Sequence, residues 1–212
     1  MAGCCPPKGY ERVFDERQAR RDLRRYRRKG LPADARDAVE FLSRAGVRSV
    51  LEIGGGIGAA QVELLRHGVE QTVNVELSRG YEAAARELAR AEGVEERVDL
   101  RLGDAVREAA TLPEADAVLM NRVVCCYPDY EALLAAAAGR ARRFLVFTFP
   151  RSGVVASLVA GFVNLGLRLT RNDFRAYAHP RAAMLAVAER NGLRLVHERR
   201  ALVWETAALE RP

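Results

Sequence analysis

Short runs of Val, Ile and Leu alternate along the chain with longer segments whose apolar residues recur at helical spacing. Buried strands of a parallel sheet have such short runs, and the crossover helices that join them show the longer period. The pattern therefore predicts an α/β fold rather than an all-α or all-β one. Five strands are predicted at Val47–Ile53, Thr72–Val75, Val98–Leu102, Ala115–Met120 and Phe144–Phe149.

Helices are predicted between these strands, and the C-terminal end departs from the alternation. The run Leu193–Ala208 has no room for a helix in its middle, so we expect two final strands paired as an antiparallel hairpin. The expected fold is a Rossmann-like, doubly wound sheet of seven strands, mostly parallel, with this hairpin at its end. The connecting helices are predicted at Ala59–His67, Tyr81–Glu92, Tyr130–Ala141 and about 181–191.

Two further helices, 11–29 and 33–45, precede the first strand, and Gly30-Leu31-Pro32 separates them. Residues 1–46 are therefore interpreted as an N-terminal basic helical extension, and residues 47–212 as the main domain. With 212 residues, of which 49% are hydrophobic, the chain is long enough for one large core with appendages.

The segment Ser152–Leu169 is mostly apolar, but Asn164 and three glycines interrupt it. It is too short and too interrupted to span a bilayer. We predict a helical insertion at about 151–179 that packs over the sheet, and we expect no stable membrane insertion.

Positive charge is concentrated at the N-terminus. Residues 1–30 contain ten basic and four acidic side chains, and their net charge of +6 equals that of the whole chain. Such an arm can contact phosphates or an acidic protein surface. A solvated helix face is the alternative that we favour, because blocks of like charge often serve no other purpose. Nucleic acid is therefore an open but not a favoured partner.

Four cysteines occur as two adjacent pairs, Cys4-Cys5 and Cys125-Cys126. Neither pair has the C-x-x-C spacing that lets two thiolates bind one zinc ion, so we predict no metal site. The N-terminal sequence has no apolar stretch of signal-peptide length. We expect a cytoplasmic protein with free thiols, Cys125 and Cys126 acting as small buried hydrophobes, and we leave a homo-oligomer open.

The strongest local signal is the sequence VLEIGGGIG from Val50 to Gly58, in which an apolar strand leads into glycines and then a helix. Glycines let the backbone turn sharply and approach a ligand. Glu76 follows the second strand, where a carboxylate can accept both ribose hydroxyls of a nucleotide, and Asp104 follows the third. Because Gly54–Ala59 also fits a dinucleotide-binding pattern, a nicotinamide cofactor stays open at this point. Each acid also has a structural alternative, as a helix charge or an N-cap.

Taken together, these residues resemble the class I S-adenosylmethionine-dependent methyltransferase family over about residues 47–208. The resemblance rests on an acid two places before a G-x-G-x-G loop, an acid after strand two and a Gly-Asp pair after strand three. It implies that S-adenosyl-L-methionine is the cofactor, with its methionine part on the glycine loop, its ribose on the second acid and its adenine on the third. The cofactor-binding residues implied in this way are Glu52, Gly54, Gly56, Gly58, Glu76 and Asp104.

The resemblance leaves the methyl acceptor unidentified. The segment Asn121–Asp129 lacks the Asn-Pro-Pro-Tyr type of motif, which disfavours methylation of nucleobase nitrogens. Tyr127 and His179 are the candidate catalytic groups that could orient an acceptor or take its proton, although His179 could instead cap the helix after Pro180.

The predicted function is methyl transfer to a small, apolar or anionic acceptor. Two alternatives stay open: an RNA- or protein-modifying methyltransferase that uses the basic N-terminal helix, and a non-catalytic S-adenosylmethionine-binding protein.

Overall fold

The computed structural model describes residues 9–151 and 154–212, with the backbone alone for residues 154–159. Its sheet has seven strands in the order β3-β2-β1-β4-β5-β7-β6, which confirms the predicted Rossmann-like fold. The strands are β1 (Ser49–Ile53), β2 (Gln71–Glu76), β3 (Val98–Leu102), β4 (Ala115–Asn121), β5 (Ala141–Pro150), β6 (Arg194–Arg200) and β7 (Trp204–Glu210).

Eight α-helices surround this sheet in the described part of the chain. They are α1 (Tyr10–Val13), α2 (Glu16–Lys29), α3 (Ala33–Arg44), α4 (Ala59–Arg66), α5 (Glu82–Ala91), α6 (Tyr130–Arg140), α7 (Val154–Leu169) and α8 (Arg181–Arg190). One-turn 3₁₀ helices lie at Arg79–Tyr81, Glu95–Arg97 and Val124–Cys126.

Strands β1 to β5 run parallel, so their carboxyl ends lie along one edge of the sheet. The strand order reverses between β1 and β4, and ligands of such open sheets bind outside the carboxyl ends at this point. Strand β7 pairs antiparallel with both β5 and β6, which confirms the predicted C-terminal hairpin.

The two faces of the sheet are covered by separate hydrophobic clusters. Helices α2 to α5 cover the face that carries Val50, and helices α6 and α8 cover the face that carries Leu51. Neighbouring residues of one strand thus point into opposite layers, as the pleat requires. Leu23 of α2 and Leu42 of α3 are buried in the same cluster as Val50. The extension therefore shares the core of the sheet, and a domain boundary at residue 46 stays a prediction.

The single helix predicted at 11–29 is wrong in one respect, because the chain turns at Phe14. The Asp15 side chain accepts a hydrogen bond from the backbone N–H of Gln18 over 2.8 Å, so Asp15 caps a new helix, α2. The Phe14 ring packs on Tyr10 and Phe174 instead of continuing the helix, with ring centroids 4.3 and 5.5 Å away. Tertiary packing of one aromatic ring outweighs the local helical preference here.

The predicted insertion contains helix α7, followed by an irregular stretch up to Pro180. The first two residues of the predicted helix, Ser152 and Gly153, lie outside the described residues, as do Cys4 and Cys5. Within residues 9–151 and 154–212, no helix combines the length and the apolarity needed to cross a membrane.

Candidate cofactor and acceptor site

The loop after β1 can be built only from glycines at its key positions. Gly54, Gly56 and Gly58 have φ angles of 68°, 56° and 75°, which L side chains rarely adopt. A Cβ on Gly54 would lie 2.6 Å from Cγ2 of Val123. A Cβ on Gly55 would lie 2.7 Å from Oε2 of Glu52. The loop therefore keeps its backbone tight against neighbouring side chains and leaves room for a ligand above it.

Glu76, the last residue of β2, is fixed beside this loop. Its Oε2 accepts a hydrogen bond from the backbone N–H of Gly56 over 2.9 Å, and its Oε1 accepts one from Ser78 over 2.8 Å. Burial raises the pKa of the Glu76 carboxyl, and these backbone N–H groups oppose that rise. Each oxygen accepts one backbone bond and keeps a further lone pair for a ligand.

Glu52, on β1, is fully buried beneath the glycine loop. Burial raises the pKa of its carboxyl to about 8, and the nearby Gln61 amide only partly offsets this. The Oε2 atom of Glu52 has no hydrogen-bond partner in the described structure, and the two polar atoms of Gln61 have none either. A buried polar atom without a partner is costly, and such atoms commonly mark the position of a missing ligand or ion.

Asp104, after β3, lies next to one of the two predicted catalytic residues. The Tyr127 hydroxyl group is 3.1 and 3.2 Å from the two carboxylate oxygens of Asp104, and both residues are buried. The backbone N–H of Val106 also donates to Asp104 over 2.9 Å. The geometry thus gives Tyr127 a role in holding Asp104, whereas the sequence suggested a role at the acceptor.

Two adjoining cavities bring the three predicted acids into one groove. A cavity of about 240 Å³ is lined by Glu52, Glu76 and the glycine loop, and a smaller one of about 30 Å³ is lined by Asp104. The two cavities share wall residues Tyr10, Gly54, Val123 and Cys126. The groove follows the carboxyl ends of β1, β2 and β3, where the sequence placed the cofactor.

The N-terminal helices form the opposite wall of the larger cavity, which sequence reasoning did not foresee. The residues concerned are Tyr10, Phe14, Asp22, Arg25 and Tyr26. The wall is attached beside the glycine loop, since the Tyr81 hydroxyl donates to Asp22 over 2.6 Å and Ser78 Oγ donates to Glu11 over 2.9 Å. The amphipathic pattern of 11–29 was the available signal, but it does not say what the buried face of a helix covers.

Arg122, directly after β4, lies at the end of the larger cavity. Its guanidinium donates two hydrogen bonds to the buried carboxylate of Asp34, over 2.7 and 2.6 Å, and stacks over the Trp204 ring at 4.5 Å. Its φ angle of 60° is unusual for a residue other than glycine. Such backbone strain persists only where the surroundings enforce it, and it is concentrated at functional sites.

The two adjacent cysteines of the 3₁₀ helix Val124–Cys126 are half-buried, and Cys126 contributes to both cavities. Their Sγ atoms are 3.7 Å apart. The contact between the thiols lowers the pKa of Cys125 and raises that of Cys126, and burial adds to the second shift. The interpretation of both as buried hydrophobes therefore omits the fact that Cys126 faces the groove.

His179, the other predicted catalytic residue, lines neither cavity. Its Nε2 donates to the backbone carbonyl of Tyr127 over 3.0 Å, and its ring stacks on that of Tyr177. Burial lowers the pKa of the imidazole, against a smaller opposing effect of this bond. These contacts indicate that His179 holds the loop containing Tyr127, and its catalytic role stays an untested prediction.

A family model described as an O-methyltransferase domain matches residues 14–136, more than half of the chain. The chain belongs to this O-methyltransferase family. The match begins at Phe14, so helices α2 and α3 are included in the family region. Membership confirms the predicted methyltransferase family, and the roles of the glycine loop and its acids in cofactor binding stay predictions. No protein with a curated description matches the sequence.

Solved structures share the fold of this O-methyltransferase family member at low sequence identity. An O-methyltransferase family protein from Burkholderia thailandensis is 19% identical, with a TM-score of 0.74 over 95% of this chain and 62% of that one. The magnesium protoporphyrin IX methyltransferase of Synechocystis, solved with bound S-adenosylhomocysteine, is 16% identical, with a TM-score of 0.68 over 96% and 93%. The mitomycin 7-O-methyltransferase is 18% identical, with a TM-score of 0.67 over 97% and 61%. The chain thus spans less than two thirds of the first and third of these proteins.

Proposed function

We propose that this chain binds S-adenosyl-L-methionine along the groove and transfers its methyl group to an oxygen atom of a small acceptor. The observation that carries the proposal is the alignment of Glu52, Glu76 and Asp104 along the groove that crosses the glycine loop. Family membership supports the reaction type, because the matching family consists of O-methyltransferase domains.

Three acids of the groove suit three polar parts of this cofactor. Glu76 has acceptor capacity for the two ribose hydroxyls, and Asp104 for the adenine amino group. The orphaned Oε2 of Glu52 is suited to the ammonium of the methionine part. Because Gly54 and Gly56 have no side chains, the loop leaves space for the methionine part of the cofactor.

The bound cofactor would supply an electrophilic methyl group on a sulfonium. Such a transfer would need the acceptor oxygen in line with the carbon–sulfur bond, so alignment of the acceptor is the main requirement on the chain. The chain provides that alignment with the wall opposite the glycine loop. Tyr10 and Phe14 line the groove there, and Cys126 and Arg122 complete this wall.

The larger cavity has features that suit a small acceptor with an apolar body and a polar or anionic group. Leu31, Ile57 and the ring of Tyr26 provide apolar wall, and Arg25 and Asn121 add polar groups. Arg25 is exposed and can pair with an anion at the mouth. The Arg122 guanidinium is already paired with Asp34, so we assign it to shaping the cavity rather than to binding an anion.

Calorimetric titration with S-adenosylmethionine, S-adenosylhomocysteine and NADH tests the cofactor assignment. We expect micromolar binding of the first two and none of NADH. The Glu76→Gln variant should bind S-adenosylhomocysteine about 30- to 100-fold more weakly. Its side-chain NH₂ group would face a backbone N–H, so two donors would oppose each other, and the charge-assisted hydrogen bond to the ligand would be lost. The exposed Glu96→Gln variant removes the same charge elsewhere and should bind like the parent.

Binding of NADH alone, or equal affinity in the parent and Glu76→Gln, would refute the assignment. Transfer of a labelled methyl group to a panel of phenolic and carboxylic acceptors then separates an enzyme from a non-catalytic binding protein. Labelled product that disappears in Glu76→Gln supports the proposal. Cofactor binding without transfer to any member of the panel would favour the binding-protein alternative.

A further inference from the structure

Helix α7 exposes apolar side chains that a folded protein normally buries. Phe162 is 72% exposed, Leu165 54% and Leu169 79%, and none of residues 160–169 is buried. A helix with apolar residues around most of its circumference is usually packed inside a protein or against a partner. Large exposed apolar patches therefore mark interaction surfaces.

These side chains form a stripe. At 100° per residue, Phe162, Leu165 and Leu169 lie within about 60° of the helix circumference. Arg168 lies about 60° beyond Leu165 around the helix, and Arg171 is two residues past the end of the helix. The stripe thus has an apolar centre and a basic margin.

The surroundings of the stripe lack acidic residues along the chain. From residue 132 to residue 172 the sequence contains no Asp or Glu. Within the same stretch, Arg168 and Arg171 are exposed on or just after α7, and Arg151 is exposed with its guanidinium 3.8 Å from a carboxylate oxygen of Glu205. The combination favours a partner that is both apolar and anionic.

The turn between β6 and β7 exposes further apolar side chains, and it is joined to the chain just before α7. Leu202 is 89% exposed and Val203 56%. The backbone N–H of Arg151 donates to the Val203 carbonyl oxygen over 2.9 Å, three residues before α7 begins. We call the apolar residues of α7 and this turn the α7 surface, which comprises Phe162, Val163, Leu165, Leu169, Leu202 and Val203.

The α7 surface is connected to the mouth of the groove. The side-chain amide of Asn164 exchanges two hydrogen bonds with the backbone of Ala176, over 2.9 and 2.7 Å. Two residues earlier, the ring of Phe174 packs on Phe14 and Tyr10, with centroids 5.5 and 6.1 Å away. Both of these rings line the larger cavity. A partner seated on α7 would therefore lie beside the cavity opening.

We propose that the α7 surface docks on an anionic lipid bilayer, with the apolar stripe in the headgroup region and the arginines on the phosphates. Helices of this kind lie in the plane of the interface and bind through apolar burial together with charge. A second copy of this chain fits less well. In a two-fold dimer the same patch meets itself, so two copies of Arg168 and Arg171 would be brought together with the exposed Asp173 as their nearest acid along the chain.

Vesicle cosedimentation tests the docking with the full chain. The probes are vesicles of equal parts phosphatidylcholine and phosphatidylglycerol, and vesicles of phosphatidylcholine alone. We expect strong binding to the anionic vesicles, which weakens with added salt, and weaker binding to the neutral ones. A triple variant, F162S/L165S/L169S, should lose about a hundredfold or more in partitioning, because its apolar contact is gone.

A pair of charge variants provides the matched control. R168Q/R171Q should partition about tenfold to thirtyfold more weakly to anionic vesicles, from about 1 kcal/mol for each arginine near the surface. R97Q/R194Q removes the same charge from exposed residues at the opposite edge of the sheet, where Arg97 precedes β3 and Arg194 begins β6. This variant should bind like the parent. Circular dichroism and thermal unfolding establish that each variant folds.

Three outcomes would overturn the proposal. The first is no binding of the parent to anionic vesicles. The second is equal loss in R168Q/R171Q and R97Q/R194Q, which would mean that net charge rather than this surface attracts lipid. The third is a dimer in analytical ultracentrifugation that the triple serine variant abolishes, together with no vesicle binding. None of these measurements depends on cofactor binding or on catalysis.

Discussion

The two sides of the groove are built in different ways. The side formed by β1, β2 and β3 consists of residues at or just after the ends of strands: the glycine loop, Glu76 and Asp104. The opposite side combines Tyr10 and Phe14 from the N-terminal segment with Arg122 and Cys126 from beyond β4. Short stretches of sequence determine the first side, which suits the cofactor, a ligand that does not change from one acceptor to another. The second side depends on contacts between segments that are distant in the sequence. Acceptor specificity can therefore vary on the second side.

The largest effect that we expect on the first side comes from Gly54→Ala. The new Cβ would lie 2.6 Å from a Val123 methyl group, at a φ of 68°. The loop must shift to relieve this overlap, and overpacking of this kind costs about 1–3 kcal/mol. We expect the affinity for S-adenosylhomocysteine, measured by calorimetry, to fall about a hundredfold.

Gly93→Ala separates backbone strain from steric overlap. Gly93 has the same φ of 68°, and a Cβ there would meet nothing within 4 Å. Its alanine variant should lose about 1 kcal/mol of unfolding free energy, from the left-handed conformation alone, and bind the cofactor normally. Equal affinities in the two variants would mean that the glycine loop does not contact the cofactor.

The first side of the groove was predictable because its determinants are short-range. The strand that runs into Gly54 and the acids after β2 and β3 can be located by counting along the sequence, and the sheet then brings them together. The positions of the strands along the chain and the closing hairpin were predicted in the same way. Element ends were less accurate: β5 begins at Ala141, a residue that the apolar pattern had assigned to the preceding helix.

The second side was not predictable, because its contacts join residues far apart in the sequence. The Arg122–Asp34 pair spans 88 positions and the Tyr81–Asp22 bond spans 59. No local pattern indicates such pairs. His179 differs from both sides: a lone histidine before a helix suggested a catalytic group, but its ring contacts the Tyr127 carbonyl and lines neither cavity, so a catalytic role stays a prediction.

The pH dependence of cofactor binding tests whether Glu52, an acid on the first side, binds the ammonium group of the cofactor. In the free protein its pKa is about 8, so the carboxyl is mostly protonated at neutral pH. A ligand ammonium beside it would favour the ionised form and lower this pKa, so binding releases a proton. Affinity should therefore rise about tenfold per pH unit up to pH 8 and level off above it.

Calorimetry in buffers of different ionisation enthalpy measures the proton release directly. We expect close to one proton released at pH 7 by the parent and none by Glu52→Gln, whose affinity should also not vary with pH in this range. Proton release that is the same in both proteins would assign the effect to another group and remove Glu52 from the ammonium site.

The smallest effect in this series should come from the bond that joins the two sides. Tyr81→Phe removes the hydroxyl that donates to Asp22 over 2.6 Å, and Tyr26→Phe removes one that donates to Glu63 over the same distance. The two variants should lose similar stability, about 1 kcal/mol each, in denaturant unfolding. The Tyr81 ring also lies against the glycine loop, since a Cβ on Gly56 would be 3.2 Å from it.

A freed Tyr81 ring should therefore also weaken cofactor binding about threefold, from about 0.6 kcal/mol of lost positioning, whereas Tyr26→Phe should leave it unchanged. The difference in cofactor affinity between the two variants shows how the N-terminal wall influences cofactor binding. If only Tyr81→Phe lowers affinity, the N-terminal wall influences the cofactor through the contact of Tyr81 with the glycine loop. If both variants lower it equally, the wall acts as a whole by covering the groove, and the cofactor side is less self-contained than its sequence pattern indicates.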